Sequence, residues 1–457
     1  MPKKVVEIIF YGGVKEIGGN KILIRDKGLG KSIFLDFGKS FELSRMYYEF
    51  PFNYPESIEE LINIDAVPPI QDLYTKSETN FENDPEPTID AFFISHPHLD
   101  HYGHISLLSR KARIFVGQGA KNIIEVGSKL ITRKTSPELN YNGLKFETFK
   151  TGDEIQIGDM VVKPIHVDHS IPGAYGFIIY TSIGTIAYTG DFRIHGAHKE
   201  LTEDFIRELE KEEIKVLITE GTHVEFSSGY NEEDVRRKLL EVIDETKELI
   251  IADFGKSDYD RFTTFYNISK QVKRSIIVDP KRYAILQGIL KIPNIRTKVD
   301  LMDPDILVVR DEKKRPTKVE KEILNTIPDE KKISITDISK NGEKYIYSVF
   351  FASSRDIKKV SPSRGSVYIL SASEPFNEER EISFEKLINW LEFFGVSMYS
   401  IHCSGHATPN HLKRLIIHAQ PEIVIPVHTL RPILFRNFVN FGDWRIPDSR
   451  GSRIVIE

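Results

Sequence analysis

One seven-residue stretch constrains this chain more than any other: Ser95-His96-Pro97-His98-Leu99-Asp100-His101. It holds three of the chain's 14 histidines within six positions, a density that a chance surface loop does not reach. It follows Ala91 to Ser95, an apolar run with the length and composition of a buried strand. Side chains alternate along a strand, so His96 and His98 leave its end on the same side. A helical pattern over residues 100–110, with Ile105, Leu107 and Leu108 returning to the core, redirects Asp100 and His101 to a neighbouring point. Imidazole and carboxylate are ligands for zinc, or for manganese where carboxylates weigh more, and the layout offers two pairs to two adjacent ions.

Two ions need more ligands, and the sequence supplies them where apolar runs end. His169 lies in His166-Val167-Asp168-His169-Ser170-Ile171-Pro172, directly after a strand-like run. Asp191 ends Thr185-Ile-Ala-Tyr-Thr-Gly-Asp, where a buried carboxylate must be neutralised or bound to metal. His428 closes Ile423-Val-Ile-Pro-Val-His. The expected assignment places His96, His98 and His169 on one metal and Asp100, His101 and His428 on the second, with Asp191 shared. Two ions about 3.5–4 Å apart can share a water, lower its pKa towards neutrality and clamp a phosphate oxygen.

Three further residues complete the expected site. His406 lies in the small-residue turn His402-Cys403-Ser404-Gly405-His406-Ala407, followed by Thr408-Pro409, a helix N-cap and first helical residue. A helix start beside His and Ser groups suits a phosphate, so His406 is expected to bind it or to assist the leaving oxygen. Glu220 ends the apolar strand Val216-Leu-Ile-Thr-Glu and Asp36 ends Ile33-Phe-Leu-Asp; both are expected to orient ligand histidines from behind. Asp100, Asp191, Glu220 and His406 are thus the catalytic candidates. His104, His166, His195, His198 and His223 take the plainer reading of structural histidines, and Cys403, the only cysteine, is read as structural rather than nucleophilic.

Strand-like runs (Val5–Tyr11, Lys21–Arg25, Ser32–Phe37) open the chain, and residues 39–88 read as an irregular excursion with little core of its own. After about residue 222 strands alternate with helices: Glu248–Ala252 then 258–272, and Ser275–Val278 then 280–291. That βαβ rhythm implies a parallel sheet covered by helices, hence a second α/β domain within the 457 residues. A net charge of −5 excludes a protein that coats nucleic acid through bulk electrostatics, although not an enzyme that grips a few phosphates locally. No apolar run approaches the ~20 residues of a membrane span. With one cysteine and no signal-peptide pattern, a cytoplasmic address is the default expectation.

His-x-His-x-Asp-His at 96–101 resembles the signature of the metallo-β-lactamase superfamily, and the chain is similar to its β-CASP branch, whose members process nucleic acids. The 237 positions between Asp191 and His428 leave room for that branch's inserted domain, and Glu220, His406 and His428 match its additional motifs. Within the branch the chain resembles the ribonuclease J family. The similarity runs through Gly12-Gly13-Val14-Lys15-Glu16-Ile17-Gly18-Gly19-Asn20, Ile64-Asp65-Ala66-Val67-Pro68-Pro69-Ile70, His169-Ser170-Ile171-Pro172, Thr189-Gly190-Asp191-Phe192 and Ser404-Gly405-His406-Ala407. The chain ends 29 residues after His428, so it resembles the archaeal members, which lack the C-terminal domain of the bacterial ones. Thr-Leu-Arg follows His428 where ribonuclease J usually has Gly-Glu, and His-Pro-His-Leu-Asp-His-Tyr-Gly is also close to the cleavage-and-polyadenylation endonucleases.

The resemblance implies an αββα sandwich over residues 1–222 and 398–457, interrupted by a β-CASP α/β domain over 223–397. It implies two zinc ions, with manganese as the alternative, and hydrolysis of single-stranded RNA, 5′ to 3′ on 5′-monophosphorylated ends, with endonuclease activity besides. It implies that His402, Ser404, His406 and Ser373 hold RNA phosphates, with Arg261 a further candidate, and that the chain works as a homodimer or within an RNA-degradation complex, away from membranes. A DNA nuclease of the same branch, a small-molecule ester or lactam hydrolase and a non-catalytic processing scaffold are the alternatives.

Overall fold

The computed structural model describes residues 4–49, 52–77, 81–131, 137–225, 229–292, 295, 298–312, 315–350, 354–372 and 378–457. The chain forms two compact units, residues 1–227 with 405–457, and residues 228–404.

The first unit contains two seven-stranded sheets. Along one, neighbouring strands are Ser452–Ile456, Val6–Gly12, Lys21–Asp26, Lys31–Leu35, Ala91–Ile94, Ile114–Gly117 and Phe146–Phe149. Along the other they are Asp443–Trp444, Ile423–Val427, Ile214–Glu220, Gly184–Tyr188, Ala174–Thr181, Met160–Val167 and Ile155–Ile157. Alternation along each strand splits its side chains between two cores. Ile8, Phe10, Ile22, Ile24 and Phe93 join Phe177, Ile179, Ile186, Val216 and Ile425 in one cluster shared by both sheets. Ile9, Leu23, Phe34, Phe92 and Ile94 face the other way, onto Ala120 and Ile124 of helix Gln118–Leu130. The outer face of the second sheet packs Ile178, Ala187 and Leu217 on helices Lys199–Leu209 and Pro409–Ala419. The result is the αββα sandwich of the metallo-β-lactamase fold.

Strand direction brings the sequence's separated signals together. Gly184–Tyr188, Ile214–Glu220 and Ile423–Val427 run parallel as neighbours, with Tyr188 opposite Ile218 and Glu220 opposite Val427. Asp191, Glu220 and His428 therefore leave the same edge of one sheet. On the other sheet Lys31–Leu35 runs parallel to Ala91–Ile94, which places Asp36 beside Ser95; Asp36 N–H donates to the Phe93 carbonyl at 2.9 Å. Tyr175 N–H donates to the Ser95 carbonyl at 2.9 Å and ties the two sheets at this edge.

The second unit is an inserted α/β domain with an all-parallel sheet, ordered Lys332–Ser334, Ile306–Arg310, Ser275–Val278, Tyr345–Val349, Ile250–Asp253, Val367–Leu370 and Ser397–Ser400. Its central strands Ile250–Asp253 and Val367–Leu370 are buried along their whole length, as strands of a covered parallel sheet are. Three expectations are corrected here. Ser397–Ser400 pairs with Val367–Leu370 as an edge strand of this sheet, so the chain returns to the first unit at residue 405 rather than 398. The helix expected over 100–110 is one α-turn, Leu99–Tyr102, continued by a 3-10 segment, Gly103–Leu107, because Gly103 packs against Lys39 and the chain tightens there. Residues 39–88 carry helices Phe41–Tyr47 and Ile58–Asn63, capped by Ser40 and Ser57, and a small core of Leu43, Leu61, Ala66 and Val67 closed by Leu107.

Phe93 is fully buried between the sheets, stacked on Phe115 with ring centroids 4.8 Å apart. Phe93→Ala should cost about 3–5 kcal/mol, read as a lowered urea midpoint; a shift worth under about 1 kcal/mol would contradict this packing.

Candidate metal centre

Nine side chains of the first unit converge at that sheet edge. The Nε2 atoms of His96 and His169 each lie 3.1 Å from His98 Nδ1. Ligand atoms of His96, His98 and His169 fall within 4.8 Å of one another, as do those of Asp100, His101 and His428. Asp191 groups with His96 and His101, and again with Glu220, His406 and His428. Its Oδ2 stands 3.1 Å from His101 Nε2 and 3.6 Å from the Nε2 atoms of His96 and His428. Asp100 Oδ2 stands 3.3 Å from His428 Nε2.

The outer nitrogens of His96, His101 and His169 are tied down. His101 Nδ1 donates to Asp36 Oδ2 at 2.7 Å, and His169 Nδ1 donates to the Gly405 carbonyl at 2.6 Å. The Ser95 hydroxyl donates to Asp36 Oδ2 at 2.9 Å and therefore accepts from His96 Nδ1 at 3.0 Å. With a proton on each Nδ1, the Nε2 atoms of His96, His101 and His169 present lone pairs inward. Burial pushes the His96, His98 and His169 rings down, His98 to about 4, so they stay neutral at physiological pH. Burial opposes charge on Asp191 too, but His101, His428 and His406 outweigh it and hold the carboxylate ionised. Asp191 Oδ1 is buried without a hydrogen-bond partner, which a bound cation would remedy. These donors fit divalent metal.

Backbone geometry serves the same end. Asp36 and His428 sit at φ of 58° and 53°, a left-handed conformation that costs a non-glycine residue on the order of 1–3 kcal/mol. Asp36 is over-determined: it accepts from Ser95 N–H, the Ser95 hydroxyl, His101 Nδ1 and the Tyr188 hydroxyl, the last at 2.7 Å. His428 N–H donates to the Gly13 carbonyl at 2.8 Å. Phe37 N–H and Lys39 N–H donate to the carbonyls of His101 and Leu99, an approach so close that a Cβ on Gly38 would come within 1.6 Å of the Asp100 carbonyl oxygen.

Comparison with known proteins agrees with this geometry. A family profile described as "Beta-lactamase superfamily domain" matches residues 61–228. The chain is similar to Ribonuclease J of Mycoplasma genitalium, 25% identical over 438 residues, covering 93% of this chain and 68% of that one. It is also similar to Ribonuclease J of Pyrococcus abyssi, 23% identical over 434 residues, covering 93% of this chain and 90% of that one. The chain thus carries a β-lactamase superfamily domain and is similar to ribonuclease J over 93% of its length. A crystal structure of a protein of unknown function from Enterococcus faecalis shares the fold, with a TM-score of 0.77 over 99% of this chain and all of that one at 23% identity.

In this ribonuclease J-like chain Glu220 faces His406 rather than a ring of the His96–His101 loop. Its Oε1 lies 3.4 Å from His406 Nδ1 and accepts from Ala407 N–H at 3.2 Å, while its Oε2 accepts from Thr222 N–H at 3.0 Å. Burial opposes a charge on His406, but Glu220 and Asp191 outweigh it and raise the ring to about 9. The plain reading of His104 holds: its Nε2 pairs with Glu138 Oε1 at 2.7 Å. The other phosphate-binding candidates belong to the second unit. His402 and Ser404 are half-buried after strand Ser397–Ser400, and Ser373 lies outside the described residues. Arg261 is 1% exposed and its guanidinium lies 3.0 Å from Glu232, so its charge is committed within the domain.

Two supports escaped the sequence reading. Thr222 Oγ1 bonds both His428 Nδ1 and His406 Nδ1, at 2.8 and 3.1 Å. Lys21 is buried with its Nζ donating to the Gly38 carbonyl, and burial pushes it down to about 7. Glu220-Gly221-Thr222, a second polar group two residues past a strand end, is the signal that could have found the first; nothing local marks the second. Asp36→Asn removes one charge and acceptor shared by His101 and Ser95, and should weaken divalent-metal binding about 10–100-fold in a chelator competition. Unchanged affinity would show that Asp36 does not tune the site.

Proposed function

We propose that this chain is a two-metal ribonuclease that hydrolyses single-stranded RNA, chiefly as a 5′-to-3′ exonuclease on 5′-monophosphorylated ends, with endonucleolytic cleavage besides, in the cytoplasm. The observation that carries the reading is the pair of three-ligand sets meeting at Asp191, with His406 alongside. His96, His98 and His169 would hold one divalent ion and Asp100, His101 and His428 the other, with Asp191 common to both; zinc suits the histidine-rich set and manganese its carboxylates. When bound, such a pair supplies a water made acidic enough to react at neutral pH and positive charge against the phosphate oxygens.

The chain's own residues do the rest. The hydrogen bonds to Asp36, Ser95 and Gly405 keep the imidazoles rigid, so that the donors need not reorganise during reaction. His406, held protonated by Glu220 and Asp191, would donate a proton to the phosphate or to the oxygen that leaves. A net charge of −5 fits an enzyme whose positive charge is local to bound ions. Ribonuclease J relatives spanning 93% of the chain support RNA as the substrate. His402 and Ser404 would bind RNA phosphates.

Asp191→Ala should lower hydrolysis of labelled single-stranded RNA at least about 100-fold with the fold retained; undiminished turnover would remove Asp191 from the mechanism. Side-by-side digestion of 5′-monophosphorylated RNA, 5′-hydroxyl RNA and single-stranded DNA should degrade the first fastest, with products shortening from the 5′ end. Equal attack on DNA would favour the DNA-nuclease alternative.

A further inference from the structure

Thr222 follows the strand Ile214–Glu220 by two residues, and its Oγ1 is shared by two rings that do different jobs. His428 Nδ1 is 2.8 Å away, His406 Nδ1 3.1 Å away, and the His428 carbonyl oxygen 3.5 Å away. A threonine hydroxyl carries one proton and two lone pairs, so it cannot donate to both rings. The far side of His428 decides the roles. Its Nε2 faces Asp100 Oδ2 at 3.3 Å and Asp191 Oδ2 at 3.6 Å, inside the ligand cluster. A nitrogen that is to hold a cation carries no proton, and a neutral imidazole then keeps its proton on the other nitrogen. His428 is thus the donor to Thr222 Oγ1, which leaves one lone pair free to serve His406.

We propose that Thr222 is a positioning residue that fixes the metal-binding tautomer of His428 and holds His406 in register with it. The remaining lone pair accepts from His406 Nδ1–H, a proton shared with Glu220 Oε1 at 3.4 Å, and the hydroxyl proton rests on the His428 carbonyl. The two rings are thereby tied to one oxygen, which sets the place of His406 relative to the ligand ring. Of the other rings, His101 leans on the Asp36 carboxylate, His169 on the Gly405 carbonyl, and His96 on the Ser95 hydroxyl, whose proton is committed to Asp36. At Thr222 a single oxygen accepts from two rings and gives its own proton to a carbonyl. The role rests on reading the cluster as a metal centre, which metal binding by the wild-type chain tests separately.

Thr222→Val keeps the shape and removes the hydroxyl, whereas Thr222→Ser keeps the hydroxyl. In a competition between the full-length chain and a zinc chelator, the valine variant should release zinc at about 10–100-fold lower chelator concentration, with the serine variant close to wild type. Valine binding zinc as tightly as wild type, or serine as weakened as valine, would overturn the proposal. Should the valine variant not fold, nitrogen-15 NMR of histidine-labelled, zinc-loaded wild-type protein decides: the proposal requires His428 to carry its proton on Nδ1 and fails if that nitrogen is bare. A wild-type chain that binds no zinc or manganese overturns the metal-centre reading, and this role with it.

Discussion

A carboxylate with 1% of its surface exposed, surrounded by imidazoles, is the constraint on which this structure is built. Asp191 lies within 4 Å of His96, His101, His406 and His428, and burying its charge is tolerable only because cationic or cation-binding groups meet it from every side. Nearby, Asp36 lies fully buried and spends its lone pairs on His101, Ser95 and Tyr188. Between them the two carboxylates decide which nitrogen of His101 points inward. Removing either would leave buried polar groups unmatched, so the cluster is an all-or-none arrangement rather than a sum of pair contacts.

The sandwich exists, from the site's point of view, to align strand ends. Three parallel neighbours deliver Asp191, Glu220 and His428 to one edge, and a parallel pair in the facing sheet delivers Asp36 and the His96–His101 loop. Because side chains of both sheets interlock in one core, the two edges hold a fixed separation. Two residues with left-handed backbone, Asp36 and His428, mark where that alignment is forced, and both are held by hydrogen bonds from distant segments. Local strain paired with dense restraint is characteristic of functional loops.

Much of this was legible in the residues. Ligand-rich turns after apolar runs are visible because strands have a readable period and imidazole and carboxylate have few reasons to gather except chemistry. The βαβ rhythm beyond residue 222 gave the inserted parallel sheet for the same reason. What escaped depends on contacts between segments far apart in sequence. The core of residues 39–88 needs Leu107 to close it, the break at Gly103 reflects a neighbouring lysine, and Lys21 looks like any strand residue until Gly38 is placed over it. Arg261 shows the converse: a phosphate-binding candidate by resemblance, it lies against a glutamate 29 positions away. The strand Ser397–Ser400 was visible as a strand, yet its sheet was not, since apolar pattern carries no partner information.

The central claim is that this cluster holds a pair of divalent ions on which hydrolysis depends. Elemental analysis of the purified full-length chain, run in parallel with RNA hydrolysis before chelation, after it and on metal return, tests it most directly. The account predicts about two equivalents of zinc or manganese per chain, activity lost with the metal and recovered on its return. A chain that carries no such metal and degrades RNA undisturbed by chelators would contradict it.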